Sequence, residues 1–98
     1  MKKNYYVYVL ASRKNGTLYT GIARNLKKRV FEHKNNLSKG FTEKYKVKKL
    51  VYFKTHDRID LAILREKRIK KWNRSWKIEL IESMNPDWKD LYDEIPNF

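Results

Sequence analysis

Residues 5–22 read YYVYVLASRKNGTLYTGI, and they contain two strand-like segments joined by a turn sequence. The first segment, 5–10, is rich in β-branched and aromatic residues, which favour strands. Asn15 and Gly16 form a strong hairpin signal, because both residues tolerate the positive φ angles of a tight turn. Residues 17–22 supply a second strand, so the stretch predicts an antiparallel hairpin.

The spacing within this hairpin decides where its tyrosines point. A strict two-residue turn would pair Tyr8 with Ala23. It would also pair Tyr19 with Ser12. Tyr19 and Ala23 are an even number of residues apart, so Tyr8 and Tyr19 are predicted to share one face of the sheet. Taken alone, a tyrosine in a strand is usually an ordinary packing residue.

A helical period follows the hairpin. Asn25 is a favourable N-cap, and the apolar residues after it predict a helix over 26–35. Arg29 and His33 are four residues apart within this helix, so they lie on one of its faces. Such a pair is most often part of a solvated helix surface.

One further strand and three helical segments are predicted. The apolar run at 50–53 is a strand, and the second helix begins at Asp57 or Asp60. Ser75 caps the third helix. Asn85, followed by proline, starts a helical tail that packs against the core. Its apolar stripe consists of Trp88, Leu91, Tyr92 and Ile95.

Glu66 lies beside the apolar stripe of the second predicted helix. A carboxylate placed there needs a partner. An ordinary i,i+4 ion pair with Lys70 would provide one.

Composition narrows the classes of function. The chain has 98 residues, which favours one domain over 1–98, and it contains no cysteine and only two histidines. Any metal ion would therefore need oxygen ligands. There is no apolar run of about 18 residues and no signal-peptide pattern, so we expect a cytoplasmic protein that does not contact a membrane. Glycine-rich phosphate loops are absent, and no small-molecule cofactor is expected.

Charge is the strongest compositional feature. Lys and Arg number 24 against 11 Asp and Glu, which gives a net charge of +13. The excess lies in residues 1–84, whereas residues 85–98 carry four acids and one base. So positive a surface attracts nucleic acid in a largely sequence-independent way. A solvated basic surface without such a partner is the alternative.

The connection at 36–49 has no clear period, and connections of this length are often functional. It combines several lysines with Phe41 and Tyr45. One interpretation is that it follows a phosphate backbone. The other is a solvated loop whose two aromatic side chains dock on the core.

Two tyrosine motifs at a characteristic separation resemble those of the GIY-YIG nucleases. YVY at 6–8 and YTG at 19–21 are separated by ten residues, and Arg29, His33 and Glu66 follow at matching places. Either triplet alone is a weak signal, whereas the whole set is considerably more specific.

The resemblance covers a motif core at 5–72 and extends into a C-terminal helical tail at 75–98. It is to the small stand-alone proteins of this superfamily, which are related to the incision domain of the bacterial excinuclease. The implied fold is α/β (α+β), with a three-stranded antiparallel sheet flanked by helices. This agrees with the elements predicted from the residue pattern.

Transferred to this chain, the resemblance implies five catalytic residues and a Mg²⁺ or Mn²⁺ ion bound by Glu66. Tyr8 would accept a proton from the attacking water, which requires positive neighbours because the ordinary pKa of tyrosine is about 10. Arg29 would hold the scissile phosphate. Tyr19 would position phosphate or water, and His33 would assist by hydrogen bonding or proton transfer.

The chain departs from the family pattern at three positions. Tyr6 replaces the glycine of the first motif, and Thr20 replaces the isoleucine of the second. Ile22 stands where many relatives have lysine, and Arg24 is the nearest positively charged substitute.

The resemblance, together with the basic charge, therefore implies a metal-dependent endonuclease, a hydrolase of phosphodiester bonds in DNA that acts in DNA repair or recombination. RNA is the alternative substrate, and the oligomeric state is open. A nucleic-acid-binding module of the same fold without catalytic activity is the alternative function. The residues expected to contact nucleic acid are Arg24, Lys28, Lys39, Lys44, Lys46, Arg65 and Lys70.

Overall fold

The computed structural model describes residues 4–37 and 40–96, which form a three-stranded antiparallel sheet with helices on both faces. This confirms the predicted fold class. The strands, in the spatial order β2-β1-β3, are β1 (Tyr5–Ala11), β2 (Leu18–Ala23) and β3 (Lys49–His56). The helices are α1 (Leu26–Lys34), α2 (Phe41–Lys44), α3 (Ile59–Lys71) and α4 (Arg74–Met84).

The central strand β1 is buried on both of its faces. Tyr6, Tyr8 and Leu10 pack with α1, whereas Val7 and Val9 pack toward α3 and α4. Double burial explains why the first strand is an unbroken apolar and aromatic run and not an alternating one.

The hairpin register differs from the predicted one by two residues. Tyr8 lies opposite Gly21, where Ala23 was expected. The cause is the connection at 12–17, which is longer than a two-residue turn. A shift of two residues preserves the direction of every side chain, so Tyr8 and Tyr19 lie on the same face, as predicted.

Two asparagines cap helices through their side chains. Asn25 caps α1 as predicted, and its Oδ1 accepts a hydrogen bond of 3.1 Å from the Lys28 amide. The cap predicted at Ser75 is wrong. Asn73 occupies that place, and its Oδ1 accepts a hydrogen bond of 2.9 Å from the Trp76 amide.

The predicted caps of α3, Asp57 and Asp60, are also wrong. Arg58 is the N-cap residue, and its side chain makes no capping hydrogen bond. Its guanidinium pairs with the Asp60 carboxylate at 2.6 Å instead. Asp60 itself lies in the first turn of α3, where an acidic side chain is favourable.

The segment after α4 packs on the core, but it does not form the helix that was predicted there. Asn85 ends α4. Its buried side chain donates a hydrogen bond of 3.1 Å to the carbonyl of Val51. Val51 is the extra residue of a β-bulge in β3. Trp88 is fully buried with a φ of +54°, a conformation that a helix does not contain. In this segment, through residue 96, the helical structure is one 3₁₀ turn at Tyr92–Glu94.

The same segment covers part of the free edge of β3. The Leu91 amide donates a hydrogen bond of 2.8 Å to the Leu50 carbonyl. The Leu50 amide donates one of 3.3 Å to Asp90 Oδ1. The Asp90 carboxylate also pairs with Lys34 on α1. The acidic end of the described chain is thus fixed against the basic part.

Of the helices that the structure describes, none combines the length and the hydrophobicity needed to traverse a bilayer.

Candidate active site

Four of the five predicted catalytic side chains meet on the face of the sheet covered by α1. The rings of Tyr8 on β1 and Tyr19 on β2 have centroids 6.3 Å apart. The His33 ring on α1 lies 6.3 Å from the Tyr8 ring and 5.7 Å from the Tyr19 ring. Arg29, one turn earlier on α1, is near enough to lower the pKa of Tyr8. We call these four residues the tyrosine cluster.

The inner part of the cluster is a buried chain of polar groups. The Tyr8 hydroxyl is 3.4 Å from His33 Nε2, and His33 Nδ1 is 2.9 Å from Thr42 Oγ1. A neutral imidazole donates through one nitrogen and accepts through the other, so the His33 ring connects the two hydroxyls. Sequence reasoning missed Thr42, because nothing in the pattern at 36–49 indicates a contact with α1.

Burial controls the ionisation of this chain. It raises the pKa of Tyr8 to about 12, and the nearby Tyr19 acts in the same direction. Arg29 lowers the pKa of Tyr8, as the predicted mechanism requires, but burial outweighs it. Burial, followed by the charge of Arg29, lowers the pKa of His33 from its ordinary 6.5. At neutral pH the phenol is therefore protonated and the imidazole is neutral.

The outer part of the cluster is formed by Arg29 and Tyr19, which are only partly buried. The Arg29 side chain is 42% exposed, and its guanidinium lies 3.5 Å from the Glu32 carboxylate. A planar guanidinium suits phosphate oxygens, because it can donate two parallel hydrogen bonds. The cluster thus presents a partly exposed guanidinium to solvent, beside a buried phenol.

Glu66 lies on α3, and its carboxylate is bound to the Lys70 ammonium at 2.6 Å. The i,i+4 ion pair, one interpretation of this carboxylate, is therefore present. The Glu66 side chain is only 12% exposed. Its negative charge contributes to the raised pKa of Tyr8, so the carboxylate lies within electrostatic reach of the phenol.

Glu66 is also the residue that fits a divalent cation. Within residues 4–37 and 40–96, no three His, Asp or Glu side chains group together as a closed metal site. A cation would therefore depend on the Glu66 carboxylate together with water, a donor set that Mg²⁺ accepts because it binds few protein ligands. The ion pair with Lys70 shows that this partly buried carboxylate already binds a cationic group.

The residues predicted to contact nucleic acid have different surroundings. The guanidinium of Arg65 lies 4.9 Å from the centre of the Trp72 ring, and Lys70 is bound to Glu66. Lys39 lies outside the described residues. The predicted residues that are exposed are Arg24, Lys28, Lys44, Lys46 and also Lys70.

Comparison with known proteins gives matches along most of the chain. The family model described as the GIY-YIG catalytic domain matches residues 4–79. A UPF0213 protein from Staphylococcus saprophyticus is 35% identical over 77 residues, which are 79% of this chain and 93% of that protein. A UPF0213 protein from Clostridium perfringens is 41% identical over 78 residues, which are 80% of this chain and 83% of that protein.

The fold matches that of a solved structure, the solution NMR structure of a UPF0213 protein from Bacillus halodurans. The TM-score is 0.57 at 24% sequence identity, and the match covers 89% of this chain and 92% of the other. The region matched by the family model contains both tyrosine motifs, α1 and Glu66. The chain therefore belongs to the GIY-YIG catalytic domain family, a family of nucleases, and its relatives there include the small UPF0213 proteins.

Proposed function

We propose that this protein is a metal-dependent endonuclease that hydrolyses phosphodiester bonds in DNA, with a role in repair or recombination. The convergence of the tyrosine cluster from β1, β2 and α1 is the observation that carries the proposal. Membership of a nuclease family supports a nucleic-acid substrate. GIY-YIG nucleases generally depend on a divalent metal ion.

Arg29 and Tyr19 bind the scissile phosphate at the solvent-facing side of the cluster. The guanidinium offsets the charge that develops on the phosphate in the transition state. Its contact with Glu32 is a partly exposed pair at 3.5 Å, which is weak enough to exchange for a phosphate.

Tyr8 takes part through proton transfer to His33. A phenol with a pKa of about 12 is a poor source of phenolate at neutral pH. It can instead accept the proton of the attacking water while its own proton passes to His33 Nε2. Neutral His33 accepts at Nε2 when Nδ1 donates to Thr42 Oγ1, the arrangement that the two observed contacts allow.

Glu66 would hold the divalent cation. When bound, such an ion supplies positive charge that stabilises the negative charge on the phosphate and the leaving oxygen. In the structure the Glu66 carboxylate is paired with the Lys70 ammonium.

The test is cleavage of supercoiled plasmid and of labelled branched and single-stranded DNA at low salt. Mg²⁺ or Mn²⁺ is compared with EDTA, and wild type with Tyr8→Phe and Glu66→Gln. We expect cleavage that requires metal and falls at least about a hundredfold in both variants. Two matched controls, Tyr92→Phe and Glu79→Gln, should cleave like wild type. Cleavage in EDTA, or full activity in both variants, would refute the proposal.

A nucleic-acid-binding module without catalytic activity is the second candidate function. The engagement of Glu66 by Lys70 and the 1% exposure of Tyr8 favour it. Retained binding with no cleavage of any substrate in the same experiment would establish this alternative.

A further inference from the structure

A row of aromatic rings leads from the tyrosine cluster to solvent. The Tyr19 ring stacks on the Phe41 ring with centroids 6.2 Å apart and an angle of 30°. The Phe41 ring lies 4.8 Å from the Tyr45 ring. Phe41 is 48% exposed and Tyr45 is 46% exposed, so both rings offer surface to a ligand. We call Phe41 and Tyr45 the aromatic ledge.

Thr42, which lies between Phe41 and Tyr45 in the sequence, fixes the ledge relative to the tyrosine cluster. Thr42 is buried, and its hydroxyl contacts His33 Nδ1. Its carbonyl accepts a hydrogen bond of 2.9 Å from the amide of Val47, a fully buried core residue. The ledge is therefore held beside Tyr19 although α2 is only four residues long.

The surroundings of the ledge are cationic. The Lys44 ammonium lies 5.4 Å from the centre of the Tyr45 ring, and Lys46 is exposed next to it. The core of a protein–protein interface is depleted in charge, whereas single-stranded nucleic acid binds to exposed rings that stack with bases beside cations that bind phosphates. The combination favours a nucleic-acid strand over a protein partner.

We propose that the aromatic ledge binds unpaired nucleobases beside the scissile phosphate, so that the preferred substrate carries unpaired nucleotides there. This rests on the proposed function, because it assigns the ledge to the same active site. Bases within an intact duplex are stacked on one another, and their faces are not available to Phe41 and Tyr45. A single strand, or a branch with a single-stranded arm, provides free faces.

Binding in EDTA tests the ledge without cleavage. Fluorescence anisotropy at low salt compares a labelled single strand, a blunt duplex of the same sequence and that duplex with a single-stranded flap. Phe41→Ala and Tyr45→Ala should each weaken binding of the strand and the flap by roughly fivefold to a hundredfold and change duplex binding little. Phe31→Ala is the matched control, because Phe31 is 49% exposed on α1 outside the ledge.

Two substitutions separate stacking from general hydrophobic contact. Phe41→Trp should keep or improve strand binding, whereas Phe41→Leu retains apolar area without a ring face and should bind like Phe41→Ala. Equal losses for strand and duplex, or normal binding by Phe41→Leu, would overturn the inference. Normal strand binding by the ledge variants in a protein that cleaves DNA would refute only the ledge. Ledge-dependent binding without cleavage would refute the nuclease and leave the ledge as a binding surface for unpaired bases.

Discussion

The ring of Tyr8 lies directly over Gly21 on the neighbouring strand. A Cβ atom at position 21 would be 2.6 Å from both Cζ and the hydroxyl oxygen of Tyr8, closer than real Cβ contacts come. Glycine is therefore required there because of the Tyr8 ring, since the backbone at this position does not have a positive φ. The motif glycine and the motif tyrosine form one packing unit.

Gly21→Ala should displace Tyr8, cost about 1–3 kcal/mol of stability and abolish cleavage. Urea unfolding of Gly21→Ala, Tyr8→Leu and the double variant measures the coupling between the two positions. The alanine should cost much less when the Tyr8 ring is absent. Additive effects in this cycle would show that the close approach does not limit position 21.

Stability should fall between pH 10 and pH 12 because of Tyr8. In this range the unfolded chain loses the phenolic proton while the folded chain keeps it, since the pKa of Tyr8 is raised from 10.0 to about 12. The full effect is about 2–3 kcal/mol. Urea unfolding near pH 9 and pH 11 should show a larger loss in wild type than in Tyr8→Phe. Tyr92→Phe serves as the control and should behave like wild type.

His33 should make the protein sensitive to acid. Its pKa is lowered in the folded state, so its contribution to stability is present above pH 6.5 and is lost as the pH falls toward the folded value. Urea unfolding near pH 7.5 and pH 5 should show a steeper loss in wild type than in His33→Gln. Identical slopes in the two proteins would contradict the assignment of a buried neutral imidazole.

Thr42→Val should cost about 1–3 kcal/mol, because it leaves His33 Nδ1 buried without its hydroxyl partner. Thermal or urea unfolding measures the loss. Thr55→Val on β3 is the matched control, since Thr55 is exposed and its substitution should change stability by less than about 0.5 kcal/mol. An unchanged free energy of unfolding in Thr42→Val would mean that the contact with His33 does not stabilise the cluster.

Arg29→Lys should reduce cleavage at least about tenfold, because lysine keeps the charge but loses the planar fork of donors. The measurement is kcat and KM on the best substrate found. Lys27→Arg on the same helix preserves charge in the same way and should leave both constants unchanged. A wild-type rate in Arg29→Lys would show that only the charge at position 29 matters.

The strands and the shared face of the two tyrosines follow from local properties of the sequence, namely β-branched and aromatic content and a side-chain period of two. The hairpin register does not follow from them. Arg74, at the start of α4, donates hydrogen bonds to the carbonyls of Asn15 and Gly16. A turn braced by a helix almost sixty residues later in the chain is set by tertiary contacts, which Asn15-Gly16 alone cannot indicate.

The same limit applies to the site. Helical spacing places Arg29 and His33 on one face, and the family resemblance indicates which tyrosines they accompany. The contact of His33 with Thr42 joins two elements through an irregular connection, so no periodic signal marks it. At Asn85 the sequence does contain a local signal, but tertiary contacts override it. Asn-Pro is a valid helix start, but hydrogen bonds from this side chain to Val51 and Lys89 carbonyls stabilise a turn.

The contacts made by Asp90 and Leu91 with Leu50 also bear on self-association. An exposed strand edge is a template on which identical chains add and aggregate. At Leu50 both the amide and the carbonyl are already occupied by the chain's own later residues. The acidic segment thus protects one border of the sheet from strand addition by other copies, and loss of the Asp90 carboxylate would expose an edge where intermolecular β-pairing can begin.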